Sequence, residues 1–336
     1  MGFNCGIVGL PNVGRVAVPD ERLAKIATIA KSARVVPTQL EFVDIAGLVA
    51  GASRGEGLGN QFLGHIREVD AILHLLRCFE DPDVVHVGGA VDPLRDAEII
   101  ETELMLADLD SVERRLTALV KRARGGEREA KESLTLAERA AAALREGQPA
   151  RTVAVSEEEK KAFAGLQLLT AKPVLYVCNV EEGDAAAGNA LSARVAERAA
   201  AEGAASVVIS ARIEAEVAEL AEDDRSEYLA SLGLAETGLT RVIRAGYALL
   251  DLITFFTAGP KESRAWTIRR GTKAPGAGGV IHSDFERGFI RAETIAYDDF
   301  IALGGEQAAR EAGRMRAEGR DYVVADGDIL LFRFNV

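Results

Sequence analysis

The chain has 336 residues, 48% of them hydrophobic, and its 40 Lys and Arg against 52 Asp and Glu give a formal net charge of −12. That length predicts roughly two or three domains, and the acidic balance argues against a chain that coats nucleic acid along its whole surface. Cys5, Cys78 and Cys178 show no disulfide framework or zinc spacing, no apolar run of about eighteen residues spans a membrane, and no secretory leader is recognisable, so a reducing cytoplasm is the expected setting.

Phe3 to Leu10 has the pattern of a buried strand entering the turn Gly9-Leu10-Pro11-Asn12-Val13-Gly14. Arg15 to Val18 is strand-like as well, and Pro19-Asp20 follows at once. Leu40 to Asp44 predicts a strand that ends in Asp44-Ile45-Ala46-Gly47. A glycine-rich stretch, 51–60, leads to helical spacing over 61–69. Ala71 to Cys78, Pro173 to Cys178 and Ser206 to Ser210 are short, apolar and β-branched, as parallel strands covered on both faces are. Between the first two of these, apolar residues recur at Leu109, Val112, Leu116, Leu119 and Val120, and again at Leu134, Ala137, Ala140, Ala141 and Leu144. With Gly125-Gly126 between the two sets, the spacing predicts an antiparallel helical hairpin inserted into an α/β domain. From about residue 250, short strands at 265–268 and 328–334 flank turn-rich sequence and predict a small β-rich domain.

The motifs point to phosphate chemistry. Asn12, Val13 and Gly14 lie in a turn whose backbone N–H groups can cradle phosphate oxygens. Asp44 can hold the water shell of Mg²⁺, and the N–H of Gly47 can reach a γ-phosphate. Asn179-Val180-Glu181-Glu182 ends a strand where GTPases carry Asn-Lys-x-Asp, whose carboxylate accepts the two guanine N–H donors; Glu182 and Val180 remove that fit, while an Asn amide can pair with adenine. Ser210-Ala211 matches the last base-contacting loop. One element is out of place. A phosphate loop requires Gly-Lys followed by Ser or Thr, yet Arg15-Val16 follows Gly14. Either the loop is truncated and dead, or a segment of roughly two dozen residues or more, holding the lysine, a crossover helix and a switch loop, is omitted between Gly14 and Arg15. The second alternative spares a core strand the loss of its covering helix.

The stretches Gly-Ile-Val-Gly-Leu-Pro-Asn-Val-Gly at 6–14, Phe-Val-Asp-Ile-Ala-Gly-Leu-Val at 42–49, Gly-Glu-Gly-Leu-Gly-Asn-Gln-Phe-Leu at 55–63 and Phe-Glu-Arg-Gly-Phe-Ile-Arg-Ala at 285–292 resemble the YchF, or Obg-like ATPase, family over nearly the whole chain. The resemblance implies an α/β fold: a P-loop NTPase G domain with a doubly wound, mostly parallel sheet over 1–106 and 168–249, a helical insertion over 107–167 and a C-terminal TGS domain over 250–336. It implies an ATP-binding and ATP-hydrolysing switch that associates with ribosomes and ribosomal RNA, with Mg²⁺ as cofactor, no membrane and a monomeric chain. An Obg-class GTPase, or a non-hydrolysing scaffold if the loop is truncated, are the alternatives. Leu48 stands where Ras-like enzymes carry the water-orienting Gln. His86, in the loop 83–89, resembles the histidine that the family is thought to use for that task, and Asn12 could instead hold K⁺ against the phosphates. Lys121, Arg122, Arg124 and Arg128 form a basic cluster at the hairpin tip. It is either a solvated helix end or a contact for RNA phosphates.

Overall fold

The computed structural model describes residues 3–8, 14–45, 58–81 and 89–335. In chain order it contains β1 (Asn4–Val8), β2 (Gly14–Ala17), α1 (Glu21–Ala30), β3 (Val35–Val36), β4 (Gln39–Ile45), α2 (Leu58–Glu68), β5 (Ala71–Arg77), α3 (Pro93–Arg124), α4 (Arg128–Arg145) and α5 (Lys160–Ala164). Then follow β6 (Val174–Asn179), α6 (Ala190–Ala201), β7 (Ala205–Ile209), α7 (Ala211–Glu219), α8 (Glu222–Ser231) and α9 (Gly238–Leu249). The chain closes with β8 (Leu252–Thr257), β9 (Ser263–Arg269), α10 (Ala274–Ile281), α11 (Ser283–Arg287), β10 (Phe289–Ile295), α12 (Tyr297–Leu303), α13 (Glu306–Glu311), β11 (Arg316–Glu318) and β12 (Ile329–Phe334). Two compact units result. One gathers the described residues of Asn4–Gly14 and Phe42–Gly246; the other gathers those of Met1–Phe3, Arg15–Glu41 and Tyr247–Val336.

In the first unit β1, β5, β6 and β7 run parallel and side by side, in registers that pair Cys5 with Ala71, Ile72 with Val174 and Tyr176 with Ser206. The order β1-β5-β6-β7 requires crossovers, and long helical segments supply them. β6 is buried along almost its full length, the signature of a strand covered by helices rather than by water. Leu63 and Ile66 of α2, Leu104 of α3 and Val195 of α6 close over Ile72, Leu76 and Tyr176. Cys5, Cys78 and Cys178 are all buried, and burial pushes the Cys5 thiol up to about 12, so inert packing is what the structure shows for it.

Helix α3 corrects the expected boundary of the helical insertion. It starts at Pro93, with Asp92 Oδ1 accepting from Leu94 N at 3.2 Å, and not at Ala107. Its first half packs on the sheet through Ala97 and Leu104, and its second half forms the hairpin with α4 through Val112, Leu136, Ala140 and Leu144. Gly126 turns the tip at φ 90°, a left-handed value that favours glycine. The returning chain is pinned to α3 by the buried Asp108, whose carboxylate accepts from Leu169 N (2.8 Å), Thr170 N (2.8 Å) and Thr170 Oγ1 (2.6 Å). The same body of structure therefore includes sheet and hairpin, with no division at 107 or 167.

The second unit is built on a mixed sheet of order β11-β10-β12-β8-β9-β3, in which β8 and β9 are antiparallel and β12 runs parallel to β8. Its helices α10 to α13 make it more than β-rich. Helix α1 and β3, expected in the G domain, belong here. Leu23 and Ile26 of α1 bury against Phe256, Phe300 and Ile329. Asp20 caps α1, and Arg22 bridges Asp20 and Asp326 at 2.8 Å each. Removing the apolar face of α1 from water outweighs any continuity of sequence with β1, because burial of each such side chain is worth about 1.5–3 kcal/mol.

His74 of β5 is buried beside Tyr176, ring centroids 5.8 Å apart, as the sequence pattern of a structural histidine predicts. Burial, aided by the charges of Arg198 and Arg151 and opposed by Glu202, lowers its pKa from 6.5 to about 4. Between those two values the unfolded chain holds the proton and the folded chain does not, so stability is fully present above about pH 6.5 and is lost as pH falls towards 4. Melting curves between pH 7 and 5 should show His74 contributing a slope of up to about 1.4 kcal/mol per pH unit, and His74→Phe should flatten it; an unchanged slope would show that His74 is not buried as a neutral ring.

Candidate functional site

The strand ends of β6 and β7 lie side by side, with Asn179 paired to Ile209. The chain then turns into α7. Ser210 occupies the N-cap position but makes no capping bond with its side chain, although it is buried. Asn179 of the neighbouring strand does so instead: its Oδ1 accepts from Ala211 N–H at 2.9 Å. A capping bond of this kind contributes about 1 kcal/mol and fixes the carboxamide plane. The amide NH₂ has no hydrogen-bond partner among the described residues.

After Asn179 the chain alternates. Val180 N donates to Ile209 O at 2.9 Å, and the Val180 side chain is 3% exposed within the sheet core. Val180 was expected among the nucleotide contacts; its side chain faces inward, which leaves only its main chain for such a contact. Glu181 is exposed, and Glu182 opens the 3₁₀ turn Glu182–Asp184. Glu182 Oε1 lies 2.5 Å from Nε of Arg212, in the first turn of α7. The contact is an ion pair whose angle is poor for a hydrogen bond, so that oxygen has a charge partner and no aligned donor. The turn is held from behind by Asn189, which donates to Cys78 O (2.7 Å) and Asp184 Oδ2 (2.9 Å) while forming a capping box with Ser192 at the head of α6.

Asn179, Glu182, Ser210 and Ala211 are thus brought together, with Glu181 on the adjoining surface. Sequence reasoning missed Arg212 and Asn189. The Asn189-x-x-Ser192 spacing is a legible capping signal, whereas nothing local to Arg212 betrays its partner. Asn12, Val13, Gly47 and His86 lie outside the described residues, and of Asp44 only its place near the end of β4 is described.

The phosphate end differs from a standard loop. Gly14 opens β2 directly, and Arg15 pairs with Glu41 at 3.2 Å. Val16 offers no hydroxyl to a metal. No group of three or more His, Cys, Asp or Glu among the described residues is placed to hold a metal ion.

A parallel sheet of this order, with an Asn-bearing strand end beside a Ser-Ala loop, defines the nucleotide-binding domain of the GTPase class of P-loop NTPases. Residues 4–110 match the family model described as "50S ribosome-binding GTPase", and residues 252–335 match YchF-GTPase_C, described as "Protein of unknown function (DUF933)". A Haemophilus influenzae protein named "Ribosome-binding ATPase YchF" is 52% identical over 364 aligned positions, covering 100% of both chains, and a Bacillus subtilis protein of the same name is 51% identical over 97% of this chain and 90% of its own. The solved structure titled "Structure of the Schizosaccharomyces pombe YchF GTPase" superposes with a TM-score of 0.87 at 36% identity, covering 99% of this chain and 98% of that one. The chain belongs to the YchF family. Because the alignment with the H. influenzae protein has 364 positions and this chain 336 residues, at least 28 positions of that relative have no counterpart here. That is the size of the segment expected between Gly14 and Arg15.

Proposed function

We propose that this chain binds ATP in preference to GTP, hydrolyses it slowly, and works as a nucleotide-dependent switch on the ribosome in the cytoplasm. The observation that carries the reading is the base corner: no lysine follows Asn179, and the carboxylate of Glu182 is engaged by Arg212 instead of standing free for guanine. The relatives named ribosome-binding ATPases support the same reading. Gly9 to Gly14 would supply backbone amides to the phosphates, Asp44 and Gly47 the second wall, with Mg²⁺ as the nucleotide's counter-ion and K⁺ at Asn12 as a further charge. His86 is the residue proposed to orient water, because Leu48 cannot hydrogen-bond. The direct passage from Gly14 into β2 favours a second reading, a nucleotide-dependent scaffold without turnover.

Turnover separates the two. ATP hydrolysis that exceeds GTP hydrolysis, and that falls roughly ten- to a thousandfold in His86→Ala with ATP affinity retained, supports the enzyme and its proposed water-orienting residue. Activity that survives in His86→Ala but requires K⁺ and Asn12 assigns the charge to the metal. ATP binding without turnover in any of these conditions leaves the scaffold.

The ribosome contact is proposed for the hairpin tip and the C-terminal unit. At the tip Arg122 is paired with Glu127 at 2.7 Å and Arg128 with Glu132 at 3.1 Å. Lys121 and Arg124 are exposed and have no ion pair among the described residues, so they carry the net positive charge. In the C-terminal unit Arg270 is matched by Asp251 and Lys273 by Asp321, which leaves less charge there than a count of basic residues implies. Reversing Lys121 and Arg124 to Glu should weaken co-sedimentation with ribosomes in a salt-dependent way and leave nucleotide affinity unchanged. Equal co-sedimentation of variant and wild type across a salt series would remove the tip from the contact.

A further inference from the structure

We propose that Arg212 determines base specificity, its guanidinium and the Glu182 carboxylate acting as one unit that reads the Watson–Crick edge of adenine. The inference rests on the ATP reading above and names the partner that makes it work. An ionised carboxylate alone is acceptor-only, and it suits the adjacent N1–H and N2–H donors of guanine. Adenine presents the opposite: a donor at N6 beside an acceptor at N1. An ion pair of Glu182 and Arg212 offers an acceptor beside donors, which complements adenine and sets a carboxylate oxygen against O6, or a guanidinium N–H against N1–H, when guanine enters.

The geometry supports this use. Arg212 lies one residue beyond Ala211, whose N–H is held by Asn179 at 2.9 Å, so the backbone that carries the guanidinium is tied to the base-facing strand end. Nε reaches Glu182 Oε1 at 2.5 Å and lies 3.8 Å from Glu216 Oε1 on the next turn, which places the cation between two carboxylates and limits its wandering. The Arg212 side chain is 73% exposed and that of Glu182 is 36% exposed, although Glu182 Oε1 itself is buried beside the guanidinium, so a base would approach from the exposed face of the pair.

The test measures binding of ATP and GTP, each labelled with a fluorophore on the ribose so that the base edges stay free, to wild type, Arg212→Ala and Arg212→Lys, with melting temperature as the control for folding. Arg212→Ala should tighten GTP relative to ATP by roughly tenfold or more, and Arg212→Lys, which keeps the charge but not the fork of donors, should fall between. Arg212→Ala that binds ATP with the wild-type ratio, or that weakens both nucleotides equally at an unchanged melting temperature, overturns the assignment and leaves the ATP reading standing. Wild type that binds neither nucleotide overturns both.

Discussion

One hydrogen bond organises the candidate site: Asn179 Oδ1 to Ala211 N–H, from the end of one parallel strand to the start of the helix that follows its neighbour. It exists because β6 and β7 are adjacent and in register, with Asn179 opposite Ile209, and that adjacency follows from buried apolar strands linked by a covering helix. Once the bond is made, the residue after Ala211 has little freedom in where its backbone lies, and Arg212 meets Glu182. The corner's chemistry is therefore a consequence of the sheet. Asn189 reinforces it from the far side by tying the 182–189 loop to the end of β5, so three consecutive strand ends contribute to one rigid edge.

Several strands were legible in the sequence because their composition and burial coincide. Ala71 to Cys78 and Pro173 to Cys178 became β5 and β6 nearly residue for residue. Others were not. β8 follows α9 with only Asp251 at φ 50° as the break, so neither glycine nor proline marks the boundary. β10 carries Arg291 and Glu293 in its middle, which look like a polar loop until Arg333 on the paired strand β12 meets Glu293 at 3.0 Å. At the site, the strand-end motif was legible as a group, but a linear motif cannot say which side chains turn inward, as that of Val180 does. Arg212 was missed because its partner is distant in sequence.

The largest departure concerns α1 and β3. Their order in the chain placed them with the phosphate loop, yet their apolar face, Leu23 and Ile26, packs with Phe256 and Phe300 in the C-terminal unit. Packing decided the matter where sequence order could not. The chain enters β2 straight after Gly14, and at least 28 positions of the H. influenzae relative lack a counterpart in it.

The central claim is that a preassembled corner of Asn179, Glu182, Ala211 and Arg212 reads adenine. Amide hydrogen exchange, followed residue by residue with ATP or GTP at equal excess, measures it most directly. ATP should slow exchange over 179–184 and 210–214 well beyond what GTP achieves, with Ala211 already protected in the free protein by Asn179. Equal protection by the two nucleotides, or an Ala211 amide that exchanges freely before either is added, would contradict it.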